Sequence, residues 1–275
     1  MTLIGSSDNA SLRRPLSLDT RTVISRLRDP AFPVVWNATS RLVSSVVVLL
    51  AKYAAHSLNL INVYNMDRLV EALERPKGVP LITVSNHVST IDDPVMWSPL
   101  KNKYLTRQDI RWSLVAHEVC YINTALAYFF MLTRNVPIVR GAGVYQEGVN
   151  FAIERLSRGD WVHVFPEGKI NDKMENMRLK WGVGRMIYES PEMPIVLPMH
   201  VIGLQHILQP RPPYIIRPFK KVTINHGEPL SLKDLVRELK EAQPPPEVAR
   251  KHITDAIELE TTKLKKETEK LHYKQ

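Results

Sequence analysis

Pro80-Leu81-Ile82-Thr83-Val84-Ser85-Asn86-His87-Val88-Ser89-Thr90-Ile91-Asp92-Asp93-Pro94 is the stretch on which the reading of this chain turns. Its first half is an apolar, β-branched run of strand character, and the run stops at Ser85. Pro94 suits the first turn of a helix, with Asp92 or Asp93 as its cap. A strand, a short loop and a helix in that order place His87 at the edge of a sheet, where α/β proteins bind ligands. His87 and Asp92 are five positions apart. On one continuous helix that offset turns them about 140° from each other, so they could not meet. With a loop at the histidine and the helix beginning near the aspartate, they can. A carboxylate on one imidazole nitrogen selects the tautomer and stabilises the imidazolium, which leaves the other nitrogen as a general base. The chemistry is that of a serine hydrolase without the serine, so the attacking hydroxyl belongs to the substrate.

Outward from this stretch, further β-branched runs predict strands at 136–139, 161–165, 195–197 and 221–224, besides 81–85. Val149, Ile153 and Leu156 fall at helical spacing within 144–157, and Gly159 ends that run. Residues 178–189 form another amphipathic stretch. Ser231 and Asp234 have the spacing of a capping box that opens a helix bearing Leu232, Leu235, Val236 and Leu239. Pro244-Pro245-Pro246 breaks the chain before a last amphipathic helix, whose stripe of Ile253, Ile257, Leu264 and Leu271 is expected to pack on the domain. Alternating strands and helices predict an α/β fold, a mostly parallel or mixed sheet flanked by helices. The expected organisation is a poorly defined segment over 1–30, a membrane-associated helix over 31–60, and an α/β domain over 61–275.

In 275 residues Lys and Arg outnumber Asp and Glu by 37 to 28, which points to an anionic partner, a membrane surface or a nucleic acid. The positive charges are dispersed, and neither zinc-finger spacing nor an RNA-binding aromatic signature occurs, so no nucleic-acid partner is expected. One cysteine, Cys120, excludes an internal disulfide and a cysteine-cluster metal site, and its apolar surroundings make it a packing residue. No G-x-S-x-G and no phosphate-binding P-loop occurs, and His117-Glu118 lacks the second histidine of a zinc protease. No secretory leader is seen, and Arg13, Arg14, Arg21, Arg26 and Arg28 make at best a weak targeting signal beside Asp19. The most apolar run, 42–51, rises about 15 Å as a helix, against roughly 30 Å of bilayer hydrocarbon. Two readings stay open for it, a buried core helix and a helix that dips into one leaflet. Trp36 and Tyr53 as interfacial rings, with Arg41 and Lys52 reaching for headgroups, favour the second.

Phe165-Pro166-Glu167-Gly168 follows another strand end. Together with the H-x-x-x-x-D of His87 and Asp92, with 135–141 (N-V-P-I-V-R-G) and with 194–198 (P-I-V-L-P), it resembles the glycerolipid acyltransferase superfamily. The phrases 159–169 (G-D-W-V-H-V-F-P-E-G-K) and 180–185 (K-W-G-V-G-R) are similar to that superfamily's mitochondrial phospholipid–lysophospholipid transacylases. The resemblance covers roughly residues 60–230. It implies transfer of an acyl group from a phospholipid to a lysophospholipid hydroxyl, with cardiolipin, monolysocardiolipin and phosphatidylcholine among the lipids, and without CoA, cofactor or metal. It also implies a mitochondrial membrane, outer or inner, on the leaflets facing the intermembrane space, with attachment from one side; a homo-oligomer is left open. His87 is expected to act as base and Asp92 to orient it, with Asp93 a helix cap rather than a second acid. Arg140 and Lys169 follow strand ends on the edge that carries His87, and would hold a lipid phosphate. Phe165, Pro166, Glu167 and Gly168 complete the substrate site, Glu167 bonding a glycerol hydroxyl or bracing its loop and Gly168 allowing close backbone approach. Arg178, Lys180 and Arg185 are expected on a charged helix face, and His117 and His163 to be structural. The rival within this chemistry is an acyl-CoA-dependent lysophospholipid or lysophosphatidic acid acyltransferase. A remoter one is a non-enzymatic, basic membrane-binding protein.

Overall fold

The computed structural model describes residues 17–58, 60–106, 110–208 and 213–274. Arg13 and Arg14 of the basic N-terminal stretch lie outside the described residues. Helices α1 (Thr20–Arg28) and α2 (Pro33–Leu58) come first, followed by β1 (Leu60–Tyr64) and α3 (Met66–Leu73). Strand β2 (Leu81–Ser85) leads through the loop quoted above into α4 (Asp92–Met96) and α5 (Asn102–Leu105). Then come β3 (Trp112–Ala116), α6 (His117–Cys120), α7 (Thr124–Leu132) and β4 (Asn135–Ile138). The chain finishes with α8 (Glu147–Ser157), β5 (Trp161–Val164), α9 (Gly182–Glu189), β6 (Ile195–Ile202), β7 (Lys221–His226), α10 (Lys233–Ala242) and α11 (Pro246–Tyr273).

The strands form one seven-stranded sheet in the order β1-β7-β6-β2-β5-β3-β4. Every pairing is parallel except β6 with β7. This is the mixed α/β sheet that the alternation of elements predicts. β2 lies at its centre, and its near-continuous apolar run is what burial on both faces demands. All five expected strands are present. Two more were missed. Asn62 and Ser113 interrupt the apolar pattern of β1 and β3, and both strands draw their definition from neighbours far along the chain.

Side-chain alternation divides the core in two. Leu81, Trp161, Leu197 and Met199 face α2, α3 and α4, whereas Ile82, Val84, Val162 and Val196 face α8, α9 and α11. The stripe on α11 is buried as expected, with Ile253 and Ile257 fully covered and Leu264 nearly so. Within the segment expected to be poorly defined, α1 is an ordered helix, capped by Asp19 and burying Val23, Ile24 and Leu27. The expected capping box at Ser231 does not form. Leu232 occupies the cap position of α10 without a side-chain bond, and Asp234 pairs with Arg237 instead. Burial of Leu232, Val236 and Leu239 holds that helix in place.

α2 is much longer than the ten-residue run suggested. Its 26 residues, with a mean hydropathy of 1.6 over the best window, are long and apolar enough to cross a membrane by length and composition. Its inward face is small and polar. Ser40 and Ser44 donate to the Leu132 carbonyl and Ser45 to that of Leu105. Its outward face carries Val35, Leu42, Val46, Leu50 and Tyr53, all exposed. Arg41 and Lys52, expected to reach for headgroups, instead donate to the carbonyls of Thr106 and Leu100, and Trp36 leans on Tyr128.

Candidate active site

β2 delivers the backbone to the sheet edge, and Asn86 fastens it there. Its amide oxygen accepts from Val201 N and its amide nitrogen donates to Val201 O, both at 2.8 Å, which ties the strand's end to β6. The next residue is His87. Its Nδ1 lies 2.8 Å from Asp92 Oδ2, and the same oxygen accepts the backbone N–H groups of Val88 at 2.6 Å and Ser89 at 2.9 Å. Asp92 is wholly buried at the first turn of α4. It therefore shapes the loop and grips the imidazole with one oxygen. With Nδ1 engaged, the remaining ring nitrogen, Nε2, is the one available to a substrate. Ser89 Oγ adds a tether to the Leu208 carbonyl.

The imidazole is also held by its face. Phe165 stacks on it with ring centroids 4.2 Å apart and planes 23° from parallel. Behind Phe165 stands His163, edge-on at 4.4 Å, and behind that Trp97. Burial pushes the His163 pKa down to about 3, so it is a neutral wall of the site, bonded to Thr83 and in keeping with its structural reading. Phe165, expected among the substrate-binding residues, reaches the site as a plate against the His87 ring.

Asp93 is not a helix cap. Ile91 occupies that position, and the Asp93 carboxylate receives Arg111 through two nitrogens, Ser113 Oγ at 2.9 Å and Trp97 Nε1 at 3.1 Å. Burial alone would raise its pKa, but the charge and hydrogen bonds of Arg111 hold it down at about 2. The doubled aspartate divides its labour, Asp92 facing the loop and Asp93 bolting α4 to β3. Arg111 was missed in the sequence. An arginine heading an apolar strand is the signal that could have found it, because such a cation needs a buried carboxylate.

Glu167 lies under the loop, buried, with its carboxylate close to the His87 backbone and to Asn171. Burial lifts its pKa to about 7, and its Oε2 has no partner. Asn171 N in turn donates to the His87 carbonyl at 2.6 Å. The geometry thus favours the bracing role of Glu167 over the glycerol contact. Pro166 is buried in the same turn, its carbonyl accepting from Lys180 N, and Gly168 has φ +73° with the Lys180 stem across its face. Arg140 arrives from the end of β4, donates to the Gly168 carbonyl at 3.0 Å and pairs with Glu118 at 3.2 Å. Lys169 is exposed beside it. Arg178 lies over the Trp181 ring, but Arg185 is no surface cation: it is buried and bidentate to Glu189. His117 bonds the Leu18 carbonyl. Cys120 is half-buried, its thiol pushed up to about 12 chiefly by burial, which disqualifies it as a nucleophile.

The amides of Val88 and Ser89 are spent on Asp92, and that of Asp92 on the Ser89 carbonyl.

The Acyltransferase family model matches residues 61–202, which contain this whole constellation. Tafazzin of Drosophila melanogaster is 46% identical over 256 residues, 91% of this chain and 66% of that protein. Tafazzin of Saccharomyces cerevisiae is 35% identical over 58% of this chain and 53% of its own length. An N-acylphosphatidylethanolamine synthase of Arabidopsis thaliana is 42% identical over 66% of each. The chain thus spans about two thirds of the length of the first curated relatives it matches. In architecture it is similar to the crystal structure of the 1-acyl-sn-glycerophosphate acyltransferase PlsC from Thermotoga maritima, with a TM-score of 0.53 over 88% of each chain. At 21% identity that likeness speaks for the fold.

Proposed function

This chain belongs to the Acyltransferase family, and from that premise we propose that it is a phospholipid–lysophospholipid transacylase working at a membrane surface. The observation that carries the proposal is the His87–Asp92 pair, bonded through Nδ1, with no hydroxyl or thiol bonded to Nε2 among the described residues. In this reading Nε2 takes the proton of a lysophospholipid hydroxyl as its oxygen attacks the acyl ester carbonyl of a second phospholipid. Asp92 stabilises the imidazolium that forms. Collapse of the tetrahedral intermediate breaks the donor's ester C–O bond, and the departing oxygen takes the proton back from His87. One ester is exchanged for another, and no net proton is released. Phe165 keeps the imidazole plane fixed throughout, and Arg140 and Lys169 hold a lipid phosphate beside the Gly168 turn.

The likeness to tafazzins supports monolysocardiolipin as acceptor, phosphatidylcholine or cardiolipin as donor, and a mitochondrial membrane as the place of action. Strongly anionic lipids suit a chain of formal charge +9. Attachment is assigned to α2. One long face of that helix lies against the domain, so only the outward stripe of Val35, Leu42, Val46, Leu50 and Tyr53 is free to enter a leaflet, which favours one-sided attachment. The helix packs on α4, the helix that bears Asp92, so the stripe and His87 share one side of the sheet.

The test supplies purified protein with radiolabelled monolysocardiolipin and phosphatidylcholine in liposomes, with no CoA present and His87→Ala in parallel. Labelled cardiolipin from the wild type alone is the expected result. Product only after acyl-CoA is added would reassign the chain to the CoA-dependent lysophospholipid acyltransferases, and equal activity of the two proteins would overturn the His–Asp mechanism. The N-acylphosphatidylethanolamine synthase among the relatives adds one arm. With radiolabelled phosphatidylethanolamine supplied in place of the labelled monolysocardiolipin, labelled amide would shift the acceptor from a hydroxyl to an amine.

A further inference from the structure

Arg250, in the second turn of α11, is 7% exposed, and its Nε and Nη1 have no hydrogen-bond partner. Among the described residues it forms no ion pair. The other deeply buried arginines are matched, Arg111 by Asp93 and Arg185 by Glu189. A desolvated guanidinium with idle donors is a costly thing to keep, and it calls for an anion. What covers it here is a ring. Tyr145 lies 4.9 Å from the Arg250 guanidinium carbon and 4.6 Å from that of Arg185, a cation–π arrangement with two cations on one aromatic. Glu189 already neutralises Arg185, whose Nη1 also donates to the Val144 carbonyl at 2.6 Å. The cluster therefore carries one positive charge in excess.

The covering ring faces solvent, although its neighbours Val144 and Gln146 are hydrogen-bonded to Arg185 and to Val139 and Gly143. Tyr145 is 62% exposed and lies in a loop with Gly141 and Gly143, both at positive φ with open space around them. The other end of that loop is Arg140, bonded to the Gly168 carbonyl. The cluster and the F-P-E-G turn are thus the two ends of a single short strap at the edge of the sheet where the parallel strands finish.

We propose that Arg250 and Arg185, uncovered when Tyr145 swings outward, form a second phosphate site that takes the phosphodiester headgroup of one of the two lipids. This rests on the transacylase reading for its ligand, since direct transfer between phospholipids brings two headgroup phosphates to the enzyme at once. Arg140 and Lys169 serve one of them and the Arg250 cluster the other.

The experiment uses the full chain as wild type, Arg250→Gln, Tyr145→Ala and His87→Ala. Thermal unfolding is followed against inorganic phosphate and against a short-chain phosphatidylglycerol below its micelle concentration. Both ligands are expected to raise the Tm of the wild type and of His87→Ala, and to raise that of Arg250→Gln clearly less, since only the Arg140 and Lys169 site remains in it. Tyr145→Ala, at an exposed position, is expected to bind both more tightly, because the ring no longer competes for the guanidinium. In the liposome assay Arg250→Gln should raise the KM for lipid roughly ten-fold at little changed kcat, the signature of lost uniform binding. Equal shifts in wild type and Arg250→Gln would overturn the site. Should Arg250→Gln fail to fold, an unaltered affinity in Tyr145→Ala would overturn it as well. A shift with phosphate and none with the lipid would assign the site to free phosphate and overturn the headgroup assignment. Intact ligand shifts in a wild type without CoA-independent activity would remove the transacylase reading and leave the anion site standing.

Discussion

At the scale of single residues, the imidazole of His87 is fixed by three contacts of different kinds. Asp92 holds its edge, Phe165 its face, and Asn171 the backbone on which it rides. In the proposed reaction Phe165 acts as a positioning residue, and its substitution separates geometry from binding. Phe165→Leu is expected to lower kcat roughly ten-fold with little change in KM, because the ring loses its plate while the lipid contacts stay. Phe165→Tyr should restore the rate, and steady-state kinetics of the two variants checks both statements. Glu167 carries a pH signature. Its folded pKa of about 7 lies above the ordinary glutamate value, so the unfolded chain ionises first as pH rises. Stability from this group is full below about pH 4.5 and is lost as pH climbs through 7, by an amount on the order of 3 kcal/mol. Glu167→Gln should therefore flatten the stability profile between pH 4.5 and 7, as measured by denaturant titration at a series of pH values.

At the scale of elements, α2 is built inside out. Serines face the protein and branched apolar side chains face outward, the reverse of a helix on a protein in water. The inward serines satisfy carbonyls at the ends of α5 and α7, so close packing there rests on hydrogen bonds rather than on apolar area. The outward stripe is left exposed, as the proposed attachment to a leaflet requires. The combined variant Leu42→Glu, Val46→Glu and Leu50→Glu is expected to abolish co-sedimentation with liposomes. Its stability in detergent-free buffer should stay within about 1 kcal/mol of the wild type, since exposed substitutions away from structural features cost little. Retained co-sedimentation would move the attachment away from this helix.

At the scale of the whole molecule, α11 straps the sheet from behind and reaches the site without touching its chemistry. Its early turns cross α9 at Gly184, its middle holds the loop after the F-P-E-G turn through Glu258 to Leu179 N and Lys265 to the Met174 carbonyl, and its end binds β7 through His272. The crossing is close enough that a Cβ on Gly184 would stand 2.3 Å from the Arg250 carbonyl and 2.6 Å from Thr254 Oγ1. Gly184→Val must therefore force the two helices apart. A loss of about 1–3 kcal/mol is expected from such overpacking, measured by equilibrium unfolding in urea. Activity should fall with it, because the loop bearing Asn171 loses its rear support.

How much of this was legible from the sequence follows from the range of the forces involved. The central strand, the loop and the spacing of His87 and Asp92 are local: β-branched residues, a proline after two aspartates, and a five-residue offset that only a loop can close. Those features made the pair possible, its company with the F-P-E-G turn and the other motif blocks singled it out, and the alternation of elements along the chain predicted the α/β sheet; the F-P-E-G turn falls at the same edge because β2 and β5 are parallel neighbours. Contacts between distant segments were not legible. Arg111 meets Asp93 across 18 residues, the Phe165 ring reaches His87 from another strand, and Arg250 stands against Tyr145 from the far end of the chain. Spacing constrains only neighbours within a turn or a strand. Whether a charge is matched, a ring stacked or a donor left idle is decided when packing brings remote segments together and removes water from between them.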